Sequence, residues 1–518
     1  MSHPAPTRGL SRPPWGRRRA ARLVAAVSAV TASLLALGGV FPVSATDPAP
    51  STGHVSRTTG QTRPNIVVVL TDDMRADELR FLPAVRRLQS SGVTFTQALS
   101  ADSLCCPARA TLLTGKLAHN HLTIGNGAAS HGGYQVFAEH NDLERLLPQW
   151  LDNRGYRTAW IGKYLNGIPG LGLPDFRQPD WTYFAVPVAR IYDYRAHTFA
   201  INGRVDTGDE YREVYTRRLL LSRVRAWSPD ARPFFILYSA LAPHMTGLGE
   251  DGSAPPRVQA VHRDFDPFRL EVAPSVGETD VSDKPGWLQD SVAETGLRSY
   301  PVRLETHRVE ALLSVNDTVR HLMATLKALH ETRRTIVVFT SDNGYLLEEH
   351  NLTGKNKAYH ESVQVPLVVR GPGFRGGVEA GATVSLADVT ATIRRSAGVT
   401  RAHGADGLPL QDVLADPTSF ARRPVEIEGS VASYPHPDRL ETDAIGRFYT
   451  GAAWGPYSYV QYQTGDREFY DRSTDPWQLE NTYSRHPTPG SPQAFLQAWY
   501  DAHVDCRGAA CNDPIPVR

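Results

Sequence analysis

The sequence predicts an α/β fold: a large mixed, mainly parallel sheet flanked by helices, with a smaller antiparallel sheet subdomain at the C-terminal end. Three observations carry this expectation. Asn65–Leu70, Thr158–Ile161, Pro233–Ser239 and Thr335–Thr340 are continuous apolar runs, as in strands covered on both faces. Segments with helical spacing alternate with them, the order that builds parallel sheets. After roughly residue 420 the pattern shifts to short strands at 447–450, 457–463 and 468–471, separated by Gly-Pro and Thr-Gly-Asp turns.

The chain has 518 residues, 41% hydrophobic and 21% charged, with a formal net charge of +1. That composition supports a sizeable core and carries no nucleic-acid footprint. Residues 1–45 stand apart: Arg17, Arg18, Arg19 and Arg22 precede an apolar run from Leu23 to about Phe41, and Val43-Ser44-Ala45 follows. This reads as an export signal peptide. The run is rich in Ala, Ser, Thr and Gly, which favours removal over anchoring, so the mature chain is expected to be secreted or extracytoplasmic without stable membrane insertion. Residues 46–63 read as a disordered linker, 64–419 as the main domain and 420–518 as the α+β subdomain. Of four cysteines, Cys506 and Cys511 are expected to close a small disulfide loop in an oxidising compartment. A bridge between the neighbours Cys105 and Cys106 would be strained, which leaves both free.

In chain order, Asn65–Leu70 ends in Thr71-Asp72-Asp73, residues 82–90 have helical spacing, and Val93–Ala98 is a second strand. It leads into Cys105-Cys106-Pro107-Ala108-Arg109, continuing to Gly115. Pro107 suits a first helical turn, which puts Cys105 just before a helix N-terminus beside Arg109, where negative charge is stabilised. Leu143–Arg154 reads as a helix, and Thr158–Ile161 ends in Gly162-Lys163. Residues 166–215, rich in Gly, Pro and aromatics, read as an excursion outside the sheet that contributes to a substrate mouth. Tyr215–Ser228 is a helix, and Pro233–Ser239 leads to Ala242-Pro243-His244. Residues 246–300 read as a long functional loop region. Val309–Leu329 is the clearest helix, with apolar residues at i, i+3 and i+4. Thr335–Thr340 ends in Ser341-Asp342-Asn343-Gly344; Lys355 and the strand Val365–Arg370 follow, and Phe495–Ala502 closes the chain as a helix.

Ligands gather beyond the carboxyl ends of strands in open α/β sheets. Asp72 and Asp73, Lys163, His244, and Asp342 with Asn343 all fall there, on four strands, and Cys105 joins them if its strand runs parallel. Singly, each has an ordinary reading: a helix cap or turn, a solvated lysine, a hydrogen-bonded loop histidine. Together, three carboxylates and an amide oxygen suit Ca²⁺ or Mg²⁺ and lack the His/Cys set of a zinc site. A dication with Arg109, Lys163, His244 and Lys355 makes a pocket for a tetrahedral oxyanion ester.

These residues carry a resemblance. Cys105-Cys106-Pro107-Ala108-Arg109 with Leu113-Thr114-Gly115 resembles the type I sulfatase signature, C-x-P-x-R followed by T-G. Asn65–Asp73 and Thr340–Gly344 resemble the family's two metal motifs. Gly162-Lys163, Ala242-Pro243-His244, Lys355 with Tyr359, and Val365–Gly373 fit its sulfate-binding and strand positions. The likeness spans about 64–375, with a weaker tail at Glu468–Asn481. It implies an alkaline-phosphatase-like sulfatase fold and hydrolysis of sulfate monoesters of aryl or sugar alcohols. It further implies one Ca²⁺ held by Asp72, Asp73, Asp342, Asn343 and residue 105. A separate formylglycine-generating enzyme would convert Cys105 to formylglycine (3-oxoalanine), whose hydrate attacks sulfur, while Lys163, His244 and Lys355 hold the sulfate and Arg109 favours ionisation. Cys106 occupies the variable position. The combination C-C-P, H-N-H and G-K-Y-L-N is similar to the N-acetylglucosamine-6-sulfatase and extracellular sulfatase branch. One departure stands out: many members have His two residues after the lysine, and Leu165 stands there, with His119 or His121 as candidates for its role. Two other readings stay open at this point, a phosphate mono- or diester hydrolase and a non-catalytic binder of sulfated glycans.

Overall fold

The computed structural model describes residues 63–168, 181–246, 256–298, 302–400, 404–432, 434 and 436–515. The predicted signal peptide and all of the predicted linker except residue 63 lie outside them. The apolar run after Pro64 forms β1 (Asn65–Asp72), buried throughout. Its side chains alternate between two cores: Ile66, Val68 and Leu70 enter one and Val67 and Val69 the other. That two-sided burial is why the run is continuous rather than alternating.

The remaining strands of the main sheet are β2 (Val93–Leu99), β3 (Arg157–Gly162), β4 (Tyr183–Ala189), β5 (His197–Ile201), β6 (Arg204–Gly208), β7 (Phe234–Pro243) and β8 (Thr335–Ser341). A two-residue pair, β9 (Leu346–Leu347) and β10 (Thr353–Gly354), stands apart, and β11 (Leu367–Arg370) and β12 (Val378–Ser385) complete the large sheet. Its order is β12-β2-β11-β8-β1-β7-β3-β4-β5-β6. β8, β1, β7, β3 and β4 run parallel as a block, and β12 pairs parallel with β2. β11 runs antiparallel between β8 and β2, and β5 and β6 form an antiparallel edge. Helices Pro83–Gln89, Arg212–Trp227 and Val302–Ala328 cover one face; Cys105–Thr114, Leu147–Asp152 and Leu386–Ser396 cover the other. β13 (Val425–Gly429), β14 (Tyr449–Trp454), β15 (Tyr457–Tyr462) and β16 (Arg467–Asp471) form a four-stranded antiparallel sheet. Cys506 and Cys511 are disulfide-bonded.

Four expectations are corrected. The stretch 166–215 is not wholly an excursion, because β4, β5 and β6 extend the main sheet. Asn202 and Gly203, with φ of 47° and 81°, make the tight β5–β6 turn, as an Asn-Gly pair does in hairpins. The helix expected over Leu143–Arg154 forms only at Leu147–Asp152, with Pro148 in its first turn. The long helix begins at Val302 rather than Val309, because its first turns bury the polar Glu305 and Arg308. Within 246–300, helix Gly286–Thr295 forms where only loop was expected.

Candidate active site

Because β8, β1, β7 and β3 are adjacent and parallel, their carboxyl ends deliver Asp342 and Asn343, Asp72 and Asp73, His244, and Lys163 to one edge. Helix Cys105–Thr114 starts at that edge, with all ten residues buried. The β9–β10 pair brings Lys355 over it. All nine residues named from the sequence thus meet: Asp72, Asp73, Cys105, Arg109, Lys163, His244, Asp342, Asn343 and Lys355.

The centre is a buried lattice of opposite charges. Asp72 Oδ2 lies 2.7 Å from Lys163 Nζ and 3.3 Å from an Arg109 nitrogen. Arg109 donates to Asp342 Oδ2 through Nε (2.9 Å) and Nη2 (2.8 Å), and through Nη1 to the Lys163 carbonyl (2.6 Å) and Ser239 Oγ (2.7 Å). Asp73 takes φ 71°, a conformation that costs of order 1–3 kcal/mol in a non-glycine residue. It is held there by its N–H donating to Asp342 Oδ1 (3.1 Å) and by Asn343 Nδ2 donating to Asp73 Oδ1 (2.8 Å). Lys355 Nζ donates to the same Asp73 oxygen and lies 2.8 Å from Cys105 Sγ. The thiol is 3.3 Å from Asp72 Oδ1. His244 Nδ1 donates to the Met245 carbonyl (2.6 Å), and Nε2 sits 3.6 Å from Asp73 Oδ2.

Burial alone would raise the Asp72 carboxyl, but Lys163, His244 and Arg109 hold it well below the usual carboxylate range. Burial and the Asp72 charge raise Asp342. Burial brings His244 down to about 4, against the pull of Asp73. Burial, reinforced by Asp72, pushes the Cys105 thiol far up. The expectation of a stabilised anion there is not met: burial and the facing Asp72 charge outweigh Lys163 and Lys355, while Arg109 is committed to Asp342. Burial of this kind disfavours the thiolate, the nucleophilic form of cysteine.

Ligand atoms of Asp72, Asp73, Cys105 and His244 lie within 4.8 Å of one another. Asn343 Oδ1 is buried with no hydrogen-bond donor, although its amide nitrogen is doubly used. Three carboxylates and this orphaned carbonyl oxygen are hard donors, so the residues present fit a divalent cation of the Ca²⁺ type.

Neither histidine considered for the Leu165 position reaches this edge. His119 Nδ1 bonds Glu428 (3.0 Å) near the disulfide, and His121 Nε2 bonds Thr111 Oγ1 (3.1 Å). Leu165 itself packs in the core. The residue the sequence did not single out is Tyr192. Its ring stacks on His244 (centroids 4.5 Å, 12° between planes), lies 5.1 Å from Lys163 Nζ, and its hydroxyl accepts from Asn166 Nδ2 (3.2 Å). It comes from the β4–β5 connection, where only the aromatic bias of 166–215 hinted at it.

A family model described as "Sulfatase" matches residues 64–399. An arylsulfatase of Volvox carteri is 27% identical over 88% of this chain and 76% of its own length. A human N-acetylglucosamine-6-sulfatase is 28% identical over 86% of this chain and 84% of its own. A solved structure described as a complex with its substrate D-glucosamine-2-N,6-O-disulfate superposes with a TM-score of 0.64, at 19% identity, over 86% of this chain and 98% of that one.

Proposed function

The chain belongs to the sulfatase family, and from that premise we propose that it hydrolyses aryl or sugar sulfate monoesters through a formylglycine made from Cys105, with one Ca²⁺ held by Asp72, Asp73, Asp342, Asn343 and residue 105. A formylglycine-generating enzyme would act on Cys105 during maturation. The observation that carries this reading is the placement of residue 105, buried among Asp72, Asp73 and Lys355 where the strand ends converge.

The hydrated aldehyde would supply two hydroxyls on one carbon, one to take the sulfate and one to release it, and the cation would supply positive charge for a sulfate oxygen. The chain's own side chains do the rest. Arg109 locks Asp342, the Lys163 carbonyl and Ser239 in place, which fixes the ends of β8, β3 and β7 around residue 105. Lys163, His244 and Lys355 border the space above it and hold sulfate oxygens. The two ammonium groups keep their protons beside Asp72 and Asp73, so they stabilise developing charge on the sulfate oxygens. Tyr192 fixes the His244 ring from behind.

The human relative's name and the sugar disulfate in the solved neighbour favour a sulfated amino sugar as substrate class. Residues 64–419 would carry the chemistry and 420–518 would form the supporting subdomain. The N-terminal signal-like stretch and the Cys506–Cys511 bridge favour an extracytoplasmic site of action. No helix of the described residues is long and apolar enough to cross a membrane. The test is co-expression with a formylglycine-generating enzyme. The peptide containing residue 105 should show the formylglycine mass, the protein should hydrolyse 4-nitrophenyl sulfate or N-acetylglucosamine-6-sulfate, and Cys105→Ala should abolish turnover. An alanine variant with full activity overturns the reading.

A further inference from the structure

Beside the catalytic edge, on its His244 side, lies a cavity of about 790 Å³ lined by Arg195, Thr246, Arg257, Arg263, Arg303 and Glu310. All four arginines are exposed, and among the described residues none forms an ion pair. Arg145, Arg218, Arg320 and Arg395, on other parts of the surface, each face a carboxylate. Glu310 is the one carboxylate among the lining residues. Four guanidinium groups border one space with a single carboxylate, an arrangement that favours an anionic guest.

The cavity shares its walls with the catalytic centre. Thr246 follows His244 by two residues. The Tyr194 hydroxyl donates to the His244 carbonyl (2.8 Å), and Arg195 is the next residue. The Tyr211 hydroxyl donates to the Arg257 carbonyl (2.9 Å), and the Tyr194 and Tyr211 rings lie 5.8 Å apart. The opposite wall is one face of helix Val302–Ala328, where Arg303, His307 and Glu310 recur at helical spacing. Arg303 and Arg263 both disfavour protonation of His307, which places these cations around a common point.

We propose that this cavity is an anion subsite that binds a second sulfate or a carboxylate of the same saccharide whose sulfate ester is held at residue 105. The proposal rests on the sulfatase reading for the first anchor point and adds the second. Guanidinium forks match the paired oxygens of both anions, so the preferred substrates are multiply charged saccharide chains rather than isolated monosulfates.

The test compares the full chain with its Arg195→Ser/Arg257→Ser/Arg303→Ser variant. In the first arm, fluorescently labelled heparin-derived tetrasaccharide is titrated against protein still carrying cysteine at 105. Binding should weaken at least tenfold in the variant, with the thermal midpoint kept. A hyaluronan tetrasaccharide, which has carboxylates but no sulfate, separates the two anions: binding by both sugars assigns carboxylates to the subsite as well, and binding of the heparin sugar alone assigns sulfate. In the second arm, the ratio of kcat/KM for the heparin tetrasaccharide to that for 4-nitrophenyl sulfate should fall at least tenfold, through KM. Equal binding of the heparin sugar by both proteins, or none by the wild type, overturns the subsite. Absence of turnover on every ester, with binding still lost in the variant, overturns the sulfatase mechanism and leaves the subsite standing.

Discussion

Glu428→Gln tests how the four-stranded sheet is tied to the segment that carries Cys105. Glu428 is buried on β13, accepts from the His119 N–H (3.1 Å) and His119 Nδ1 (3.0 Å), and has an Arg447 nitrogen at 3.4 Å. Its own N–H donates to Ala101 O (2.8 Å), just ahead of Cys105. Burial works to lower His119, but the Glu428 and Glu426 charges outweigh it and raise the imidazole to about 10. Burial works to raise Glu428, but His119 and Arg447 bring it down to about 2. A histidine raised on folding contributes stability that is fully present below its unfolded value of 6.5 and is lost as pH climbs through about 10. A rise from 6.5 to about 10 corresponds to roughly 5 kcal/mol. Breaking one partner of a buried pair costs about 3–5 kcal/mol. These describe one interaction and agree, so they are not added. The assay is urea unfolding of both proteins from pH 6.5 to 10. The variant should lie about 3–5 kcal/mol below wild type at the acid end, with the gap closing to about 1 kcal/mol at the alkaline end and the m-value unchanged. A gap that stays constant across that range would refute the charge assigned to His119.

Two other substitutions probe the catalytic edge. Tyr192→Ala removes the ring stacked on His244 and beside Lys163, so KM for the sulfate ester should rise about tenfold, equivalent to roughly 1.4 kcal/mol of lost positioning; unchanged KM would remove Tyr192 from the site. Gly162→Ala should destabilise by more than about 3 kcal/mol, because φ is 110° and an added Cβ would stand 1.8 Å from the Ser239 carbonyl oxygen on the neighbouring strand; a wild-type melting temperature would contradict the close β3–β7 approach.

The candidate site was legible because its residues sit at the ends of strands whose two-sided burial leaves an unmistakable apolar run. Asp72, Lys163, His244 and Asp342 needed only the rule that parallel strands expose their carboxyl ends together. Other features escaped for separable reasons. The direction of β11 leaves no trace in Leu367–Arg370, which reads alike either way. The first turns of Val302–Ala328 broke the apolar period because Arg308 is buried against Glu78 at 2.8 Å, a polar pair doing the work of packing. β4 to β6 were hidden by Pro187 and scattered aromatics, although Asn202-Gly203 is a hairpin signal in plain view. Tyr192 has no local motif; only the meeting of the β4–β5 connection with the end of β7 makes it part of the site. The upward shift of the Cys105 thiol comes from burial and from Asp72 facing its sulfur, a relation between residues 33 positions apart that no local spacing encodes.

The complete burial of Cys105–Thr114 would set a schedule for the proposed maturation. A second enzyme cannot grip a helix whose every residue is covered by β1, the Leu386–Ser396 helix and the connections around them. If Cys105 is converted as proposed, the oxidation has to happen while this stretch is still an open chain, before folding closes the window. Under that proposal a molecule that folds first stays inert, and the supply of active protein is decided by a race between processing and folding rather than by how much chain is made.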